Sequence, residues 1–416
     1  QGFGSDTACF AAWADRIFNV GPGAFYSADV FTDYPPGYMY ILWPIGALRS
    51  LGINYYSVVH LILLKSPSIL CDMACGYLIY RECSKKCTLD VALILSIAYL
   101  FNPTLLLNSS VWGQVDSVFT LCVVLMCLFL MQKKMYPAYL IFAVGILVKP
   151  QTLMFAPILL AGILDNVILS DFSWKNFFKN LFQGLSAIAG MILLVLVIAC
   201  SVAGSLIVQQ REPMEYVNRY GENAAKVIMA MQLDDVFSTV SSYPYAAVNA
   251  FNFWGLFGLN WVSQDNTFLG IPYHVYGTLV ILAIVLIVLL LSIRNKDNRE
   301  KYPFLGALLV LTIFVFSVRM HERYMYPGLV LLLFAFIYKP SKLNFLCYGG
   351  FSLMHFYNTA WVLFHYDPTN YDRKAPIFIA VSIGMLLCSG LLYYITYKFY
   401  SGPKTPQITW QNAGIG

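Results

Sequence analysis

Long apolar stretches separated by short polar ones recur along almost the whole chain. Several of them are shorter than the roughly 17 residues that a spanning helix needs, so these must borrow flanking residues or lie where protein surrounds them. The pattern predicts an all-α fold, a polytopic transmembrane helical bundle with about 11 spans. The predicted spans are residues 57–80, 89–106, 115–132, 136–148, 151–164, 181–204, 272–293, 303–318, 325–338, 343–361 and 375–397.

The composition agrees with a membrane environment. Of the 416 residues, 59% are hydrophobic and only 11% are charged, and the mean hydropathy is +0.66. Soluble domains carry about 25% charged residues, so a soluble protein of this size would not cover its surface. Membrane lipids are therefore expected partners, and nucleic acid is not.

The polar loops alternate in charge. Lysine and arginine concentrate at residues 81–86, 133–134, 175–179, 294–301, 339–342 and 398–404, which the positive-inside rule places in the cytoplasm. The other loops then face outward. The expected organisation is a first external loop with interfacial helices at 1–56, transmembrane helices at 57–204, a large external loop at 205–271, transmembrane helices at 272–397 and a cytoplasmic tail at 398–416.

The first external loop contains two predicted helices. The first covers residues 7–18, and its Asp15 and Arg16 are expected to pair in solvent. The second, Tyr38–Leu51, is apolar, but its ~14 residues reach only about 21 Å, which is too short for the ~30 Å hydrocarbon core. Pro44 interrupts it. We therefore expect an interfacial or re-entrant helix.

Charged and polar side chains that could bind or catalyse concentrate in the outward loops rather than in the spans. A transporter would place polar groups near the bilayer midplane, but charged residues within the spans are scarce. Lys65 and Asp72 are the exceptions; their spacing puts them on one helix face, where we expect a structural pair. The candidate site residues are Asp6, Asp33, Tyr34, Trp112, Gln114, Asp116, Lys149, Gln151, Asn252, Trp254, Arg319, His321, Glu322 and Arg323.

Transfer of a sugar from a lipid phosphate needs few of these groups. Phosphate is a good leaving group without a strong general acid, unlike a sugar hydroxyl. One carboxylate must accept a proton, and fixed cations must hold the departing phosphate. Asp6 is the candidate base, and Arg319, His321, Arg323 and Lys149 are candidates for the phosphate. No metal site is predicted; a divalent metal is compatible with this chemistry but is not required by it.

Each assignment has a structural alternative. Asp6 would cap the first helix, since Asp is favoured at that position. Trp112 would anchor the chain at the membrane interface, and Asp116 would cap the next span. Lys149 would extend its ammonium to the membrane surface. The loop Arg319–Tyr324 would contact lipid headgroups.

An ordered set of short motifs on the outward face adds a resemblance. Gly4-Ser5-Asp6 and Asp33-Tyr34-Pro35-Pro36 resemble the first external loop of GT-C type membrane glycosyltransferases. Nearly the whole chain is similar to the bacterial relatives of the second mannosyltransferase of GPI-anchor synthesis. The later motifs agree in order: Trp112-Gly113-Gln114-Val115-Asp116, Lys149-Pro150-Gln151, Asn249–Trp254 and His321-Glu322-Arg323-Tyr324.

The resemblance implies an enzyme whose first-loop aspartate is the catalytic base, and this residue corresponds to Asp6. It implies transfer of a hexose from a polyprenyl-phosphate donor, with mannose favoured and glucose the open alternative. One base and direct attack on the anomeric carbon imply inversion. The acceptor stays open between a glycan, a lipid and a protein. The expected location is the bacterial plasma membrane, with the site on the extracytoplasmic face. The family has a transmembrane helix before the first loop, so a span preceding this sequence is expected.

Two other classes of membrane protein share many spans. A lipid-linked sugar flippase would line a path through the bundle, whereas the polar residues here gather on one face. An O-antigen polymerase or ligase has a large external loop that we expect to be rich in arginine and histidine. Histidine is absent from Leu206–Tyr273, and only Arg211 and Arg219 supply arginine there. Both classes are therefore alternatives to the glycosyltransferase interpretation.

Overall fold

The computed structural model describes residues 4–22, 25, 32, 34–168, 243–367, 372–401 and 410, with scattered positions between 174 and 193. The predicted span 181–204 lies largely outside these residues, and so does most of the 205–271 loop. The helices are α1 (Gly4–Val20), α2 (Pro36–Ser50), α3 (Val58–Cys83), α4 (Leu89–Leu100), α5 (Pro103–Leu105), α6 (Asp116–Met131), α7 (Met135–Val148), α8 (Ala156–Ile163), α9 (Phe253–Leu256), α10 (Tyr273–Arg294), α11 (Tyr302–Phe316), α12 (Tyr326–Tyr338), α13 (Lys342–His365) and α14 (Pro376–Thr396).

Shorter elements connect these helices. Turns of 3₁₀-helix cover Pro150–Phe155 and Arg299–Lys301, and π-helical segments cover Leu106–Trp112, Leu164–Ile168 and Tyr397–Ser401. Strand β1 (Ala247–Val248) pairs in parallel with β4 (Met320–His321), and β2 (Thr267–Phe268) pairs antiparallel with β3 (Ile271–Pro272). The predicted all-α fold is confirmed, since strands contribute only these short pairs among the described residues.

Four helical segments in the described part of the chain are long and apolar enough to cross a membrane. They are Val58–Cys83, Leu89–Trp112, Tyr273–Arg294 and Pro376–Ser401. Their outer faces are apolar and exposed; Leu279, Leu282, Leu286 and Leu290 of α10 are examples. Exposed apolar faces of this extent fit contact with lipid. The chain is therefore an integral membrane protein.

The short apolar helices α11 and α12 lie at the centre of the bundle. Every residue of α12 is buried, and in α11 all but Phe316 are buried. At 1.5 Å per residue, the 15 residues of α11 reach only about 22 Å. These helices do not need to match the bilayer because other helices surround them, which is the protein-lined setting expected for short spans.

The two N-terminal helices pack against each other before the first long span. A Cβ atom at Gly46 would overlap the carbonyl oxygen of Ala14, so only glycine permits this approach. An ion pair between Asp15 and Arg49 joins the two helices. The predicted pairing of Asp15 with Arg16 is therefore wrong. Arg16 Nε instead donates to the carbonyl of Phe25 at 2.6 Å.

Candidate active site

Asp6 lies in the first turn of α1, and side chains from distant segments hold its carboxylate. Its Oδ2 accepts hydrogen bonds from Trp112 Nε1 at 2.8 Å, Gln114 Nε2 at 2.5 Å and Arg323 Nη1 at 3.5 Å. Among the described residues, Oδ1 has no hydrogen-bond partner, and the side chain is 31% exposed. Helix α1 begins at Gly4, so the alternative in which Asp6 only caps this helix is wrong.

Trp112 and Gln114 reach Asp6 from a sharp turn at the end of the π-helical segment Leu106–Trp112. Gly113 between them has φ of 88°, in the left-handed region that favours glycine. Trp112 is only 2% exposed, so it is not an anchor at the membrane interface. Short π-helical segments are frequent at functional sites, and this one aims two donors at a single carboxylate oxygen.

Two polar side chains of α3 hold this turn from inside the bundle. Lys65 Nζ donates to the carbonyls of Ser110 and Val111 at 2.8 and 2.9 Å. Ser68 Oγ donates to the carbonyl of Gln114 at 2.5 Å. Carbonyls at a helix end have no partner within the helix, and a buried carbonyl without a donor is costly. Lys65 and Ser68 therefore position the segment that carries Trp112 and Gln114.

Asp72 has different partners, so its predicted pairing with Lys65 is wrong. Its Oδ1 accepts from the Tyr326 hydroxyl at 2.7 Å, and Tyr99 lies at 3.5 Å. Ser117 links Tyr326 to Ser109 through hydrogen bonds of 2.9 and 2.7 Å. Both Lys65 and Asp72 point into the bundle as expected, but each meets a different neighbouring helix.

Asp116 and Lys149 form a buried ion pair beside the site. Lys149 Nζ lies 2.5 Å from Asp116 Oδ1, and both side chains are almost fully shielded from solvent. Lys149 Nζ also lies 6.0 Å from the centre of the Tyr34 ring. Lys149 therefore does not extend to the membrane surface. Removing one partner from such a pair leaves an uncompensated charge in the interior.

Arg323 lies among three carboxylates. Its guanidinium lies 3.3 Å from Glu322 Oε1, 3.5 Å from Asp6 Oδ2 and 4.0 Å from Asp116 Oδ2, and its Cζ lies 4.9 Å from the centre of the Trp112 ring. Burial would lower the pKa of Arg323, but these carboxylates reverse this effect and raise the pKa. Burial raises the pKa of Glu322, against the influence of Arg323. Glu322 therefore pairs with the neighbouring Arg323.

His321 and Tyr324 lie on the other side of Arg323. The His321 ring packs between Tyr243 and Tyr324, with centroids 4.6 and 4.9 Å away. Burial, with help from Arg323 and Lys149, lowers the pKa of His321 to about 3. At this pKa His321 is uncharged at neutral pH, and its contact with the donor phosphate stays a prediction.

The backbone at Arg319 is not extended. An extended segment would align residues 319, 321 and 323, but Arg319 has φ of 61°, in the left-handed region. Its Nε donates to Gln264 Oε1 at 2.6 Å. Arg319 thus contacts the large loop, whereas Arg323 contacts Asp6.

The remaining candidates that the structure describes contact parts of the protein other than Asp6. Tyr34 packs against Phe10 and Trp13, with ring centroids 5.8 and 5.5 Å away, and Asp33 lies outside the described residues. Asn252 Oδ1 accepts from the backbone N–H groups of residues 254 and 255 and thereby caps α9. The indole of Trp254 donates to the Phe316 carbonyl at 3.1 Å. The polar groups of Asn252 and Trp254 therefore hold the loop against the bundle.

Three acceptor oxygens around the site lack a hydrogen-bond donor in the described part of the chain. They are Gln114 Oε1, Asp116 Oδ2 and Gln151 Oε1, and all three are buried. Gln151 reaches the group through its amide, which donates to the Tyr324 hydroxyl at 3.0 Å. Buried polar atoms are normally satisfied, so these oxygens suit a ligand that brings its own hydroxyl donors. Within the described ranges, no group of three or more His, Cys, Asp or Glu side chains is placed to hold a metal ion.

Fold and site together define a class. The described residues form a multi-span helical bundle with a cluster of carboxylates and cations around Asp6 and Arg323, which is an integral membrane protein with a polar site. The chain belongs to glycosyltransferase family 87, whose model matches residues 31–318. The matched region contains Trp112, Asp116 and Lys149, and it lies between Asp6 and Arg323. No curated protein matches the chain. Membership of this family supports the GT-C type that the motifs suggested.

Proposed function

We propose that this membrane glycosyltransferase transfers a hexose from a polyprenyl-phosphate donor to an acceptor hydroxyl at the outer membrane face. Mannose is the sugar that the motif resemblance favours. The flippase alternative loses its basis with the family assignment, because a flippase forms no glycosidic bond. A role as an O-antigen polymerase or ligase is disfavoured by the lack of histidine in the large loop.

One observation carries the mechanism. Asp6 Oδ2 is held by three donors, while Oδ1 has no partner among the described residues and the side chain is partly exposed. A general base must be fixed in position and still offer a free lone pair to the proton that it abstracts. Asp6 meets both requirements.

The reaction then proceeds by direct displacement. The acceptor oxygen attacks the anomeric carbon, its proton passes to Asp6 Oδ1, and the bond from that carbon to the phosphate oxygen breaks. Polyprenyl phosphate leaves with the electron pair of the broken bond. A single displacement inverts the anomeric configuration, so a β-linked donor gives an α-linked product.

Arg323 and Arg319 are the proposed contacts of the departing phosphate. Arg323 lies 3.5 Å from Asp6 and has a side chain that is 15% exposed. Lys149 contributes indirectly, because its ammonium is paired with Asp116. We assign the sugar ring to Gln114 Oε1, Asp116 Oδ2 and Gln151 Oε1, the acceptors that lack a donor among the described residues. Sugar hydroxyls donate hydrogen bonds, whereas phosphate oxygens do not.

The test is donor-dependent transfer. Membranes carrying the protein are incubated with labelled polyprenyl-phosphate-mannose or polyprenyl-phosphate-glucose, and the products are separated and examined by NMR. We expect transfer from the mannose donor and an α-linked product from a β-linked donor. Transfer from neither donor would overturn the proposed donor class. Retained configuration would require a covalent intermediate and would overturn the displacement mechanism.

A further inference from the structure

A second charged cavity lies at the opposite end of the bundle from Asp6. Helix α6 begins at Asp116 in the site and ends at Met131, and its 16 residues span about 24 Å. Met131 lines a cavity of about 530 Å³ between the ends of α3 and α6 and the 3₁₀ turn Arg299–Lys301. Its lining residues are Arg81, Glu82, Lys85, Leu128, Met131, Gln132, Arg299 and Glu300. The cavity therefore lies near the other membrane surface.

The carboxylates of this cavity already have cationic partners. Glu82 Oε1 lies 2.8 Å from Arg81 and 2.7 Å from Lys85. Glu300 is paired at 2.6 Å with Lys86, which lies next to the lining. Among the described residues that line the cavity, together with Lys86, four cations accompany two carboxylates, so the lining retains an excess of positive charge.

Arg299 is the cation that differs from the others. Its Nη1 donates to the neutral amide oxygen of Asn166 at 3.2 Å, and it makes no ion pair within the residues that the structure describes. An arginine offers five N–H donors in a planar fork that matches phosphate. One of these is used by Asn166, so the remaining donors are available to an anion in the cavity.

We propose that this cavity binds the phosphate group of an anionic lipid headgroup or of a small phosphate-bearing solute. Arg299 is the main phosphate contact, with Arg81 and Lys85 contributing charge. Basic pockets between helices at a membrane surface bind anionic headgroups in this way. The apolar side chains of Leu128 and Met131 would contact the glycerol and first acyl carbons of a lipid. The proposal does not depend on the transfer reaction or on its donor.

The test measures bound phospholipid rather than activity. The purified protein is titrated in detergent with phosphatidylglycerol, with phosphatidylcholine and with inorganic phosphate, and native mass spectrometry counts the bound molecules. Arg299→Gln removes the proposed contact. Lys296→Gln is the matched control, because it removes one positive charge from the same loop at an exposed position outside the lining. Thermal melting confirms that each variant is folded.

We expect phosphatidylglycerol to bind the native protein and Lys296→Gln with equal affinity. It should bind Arg299→Gln at least about tenfold more weakly, because this variant lacks a charge-assisted hydrogen bond to the phosphate. Displacement by millimolar inorganic phosphate would identify a solute site, and resistance to it a headgroup site. Lys85→Gln, at a side chain 55% exposed, provides a second variant that should fold and bind a few-fold more weakly. Equal binding to the native protein, Arg299→Gln and Lys85→Gln, or equal affinity for phosphatidylcholine, would overturn the proposal.

Discussion

The indole N–H of Trp112 donates a hydrogen bond of 2.8 Å to Asp6 Oδ2, across 106 positions of sequence. The indole belongs to the buried bundle, and the carboxylate belongs to the first turn of α1. This contact ties the N-terminal helix α1 to the first half of the helical bundle. It also fixes which carboxylate oxygen of Asp6 is engaged and which has no partner among the described residues.

Trp112→Phe should lower turnover without large loss of folding. Phenylalanine keeps a ring beside Arg323 but removes the N–H donor to Asp6. A hydrogen bond to a charged group contributes about 1.5–3 kcal/mol, so we expect kcat to fall roughly tenfold to a hundredfold. The matched control is Trp254→Phe, which removes an indole donor to the Phe316 carbonyl. That change should lower the melting temperature more than kcat, and equal kcat losses would argue against a role for Trp112 at the site.

Arg323→Lys should retain folding and lose part of the activity. Lysine keeps the positive charge among Asp6, Glu322 and Asp116 but cannot reproduce the planar fork. Arg323→Gln removes the charge and leaves buried carboxylates uncompensated, a loss that typically costs about 3–5 kcal/mol of stability. Turnover at saturating donor and donor KM are measured for both variants.

The double variant Arg323→Gln/Glu322→Gln separates the two effects. Neutralising Glu322 as well should restore much of the stability, because one uncompensated carboxylate is removed. Turnover should stay low, since Asp6 and the donor phosphate still lack the guanidinium. Recovery of full turnover in the double variant would show that Arg323 serves only to balance charge.

His321 should make the protein sensitive to acid. Its pKa is lowered to about 3 in the folded state, below the ordinary value near 6.5. Between these values the unfolded chain binds more protons, so stability falls as the pH falls, by at most about 1.4 kcal/mol per unit. His321→Asn should flatten the decline of melting temperature between pH 7 and 4.5. The exposed His365→Asn is the control, and identical slopes for the two variants would contradict this account.

Cysteine labelling tests the orientation of the loops. An impermeant maleimide should label Leu269→Cys on intact cells, because residue 269 is exposed in the loop predicted to face outward. Lys296→Cys should react only after permeabilisation, because the positive-inside rule places its loop in the cytoplasm. Both are made in a background without reactive thiols. The reverse labelling pattern would invert the topology and move Asp6 to the inner face.

Hydrophobic patterning predicted the helices well because each span is long relative to the error at its ends. The predicted span 272–293 corresponds to Tyr273–Arg294, and 375–397 corresponds to Pro376–Thr396. The pattern gave the segment after residue 106 as a loop, whereas the structure continues it as a π-helical turn to Trp112. Irregular helical turns leave no periodic signal, so the backbone conformation at Trp112 could not be predicted, although Trp112 and Gln114 were candidate site residues.

The interaction partners of charged residues were harder to predict than which charged residues belong to the site or to the bundle interior. Asp15 and Lys65 were assigned partners from local spacing, but both are held by distant segments. Side-chain contacts between helices depend on packing, which one sequence does not specify. Lysine within an apolar span was the available signal for Lys65, because such charges usually meet buried polar groups. Burial likewise removes the charge of His321, which its place in a basic loop did not indicate.

Transfer by Asp6→Asn is the most direct test of the account. Asparagine keeps the shape of the side chain but cannot accept the proton, so turnover should fall by roughly 10²–10⁴-fold. Asp15→Asn is the control on the same helix, and it should keep activity near the native level because Asp15 pairs with Arg49. Sugar transfer from the lipid-phosphate donor is measured in membranes with equal amounts of folded protein. Near-native turnover by Asp6→Asn would contradict the assignment of Asp6 as the base.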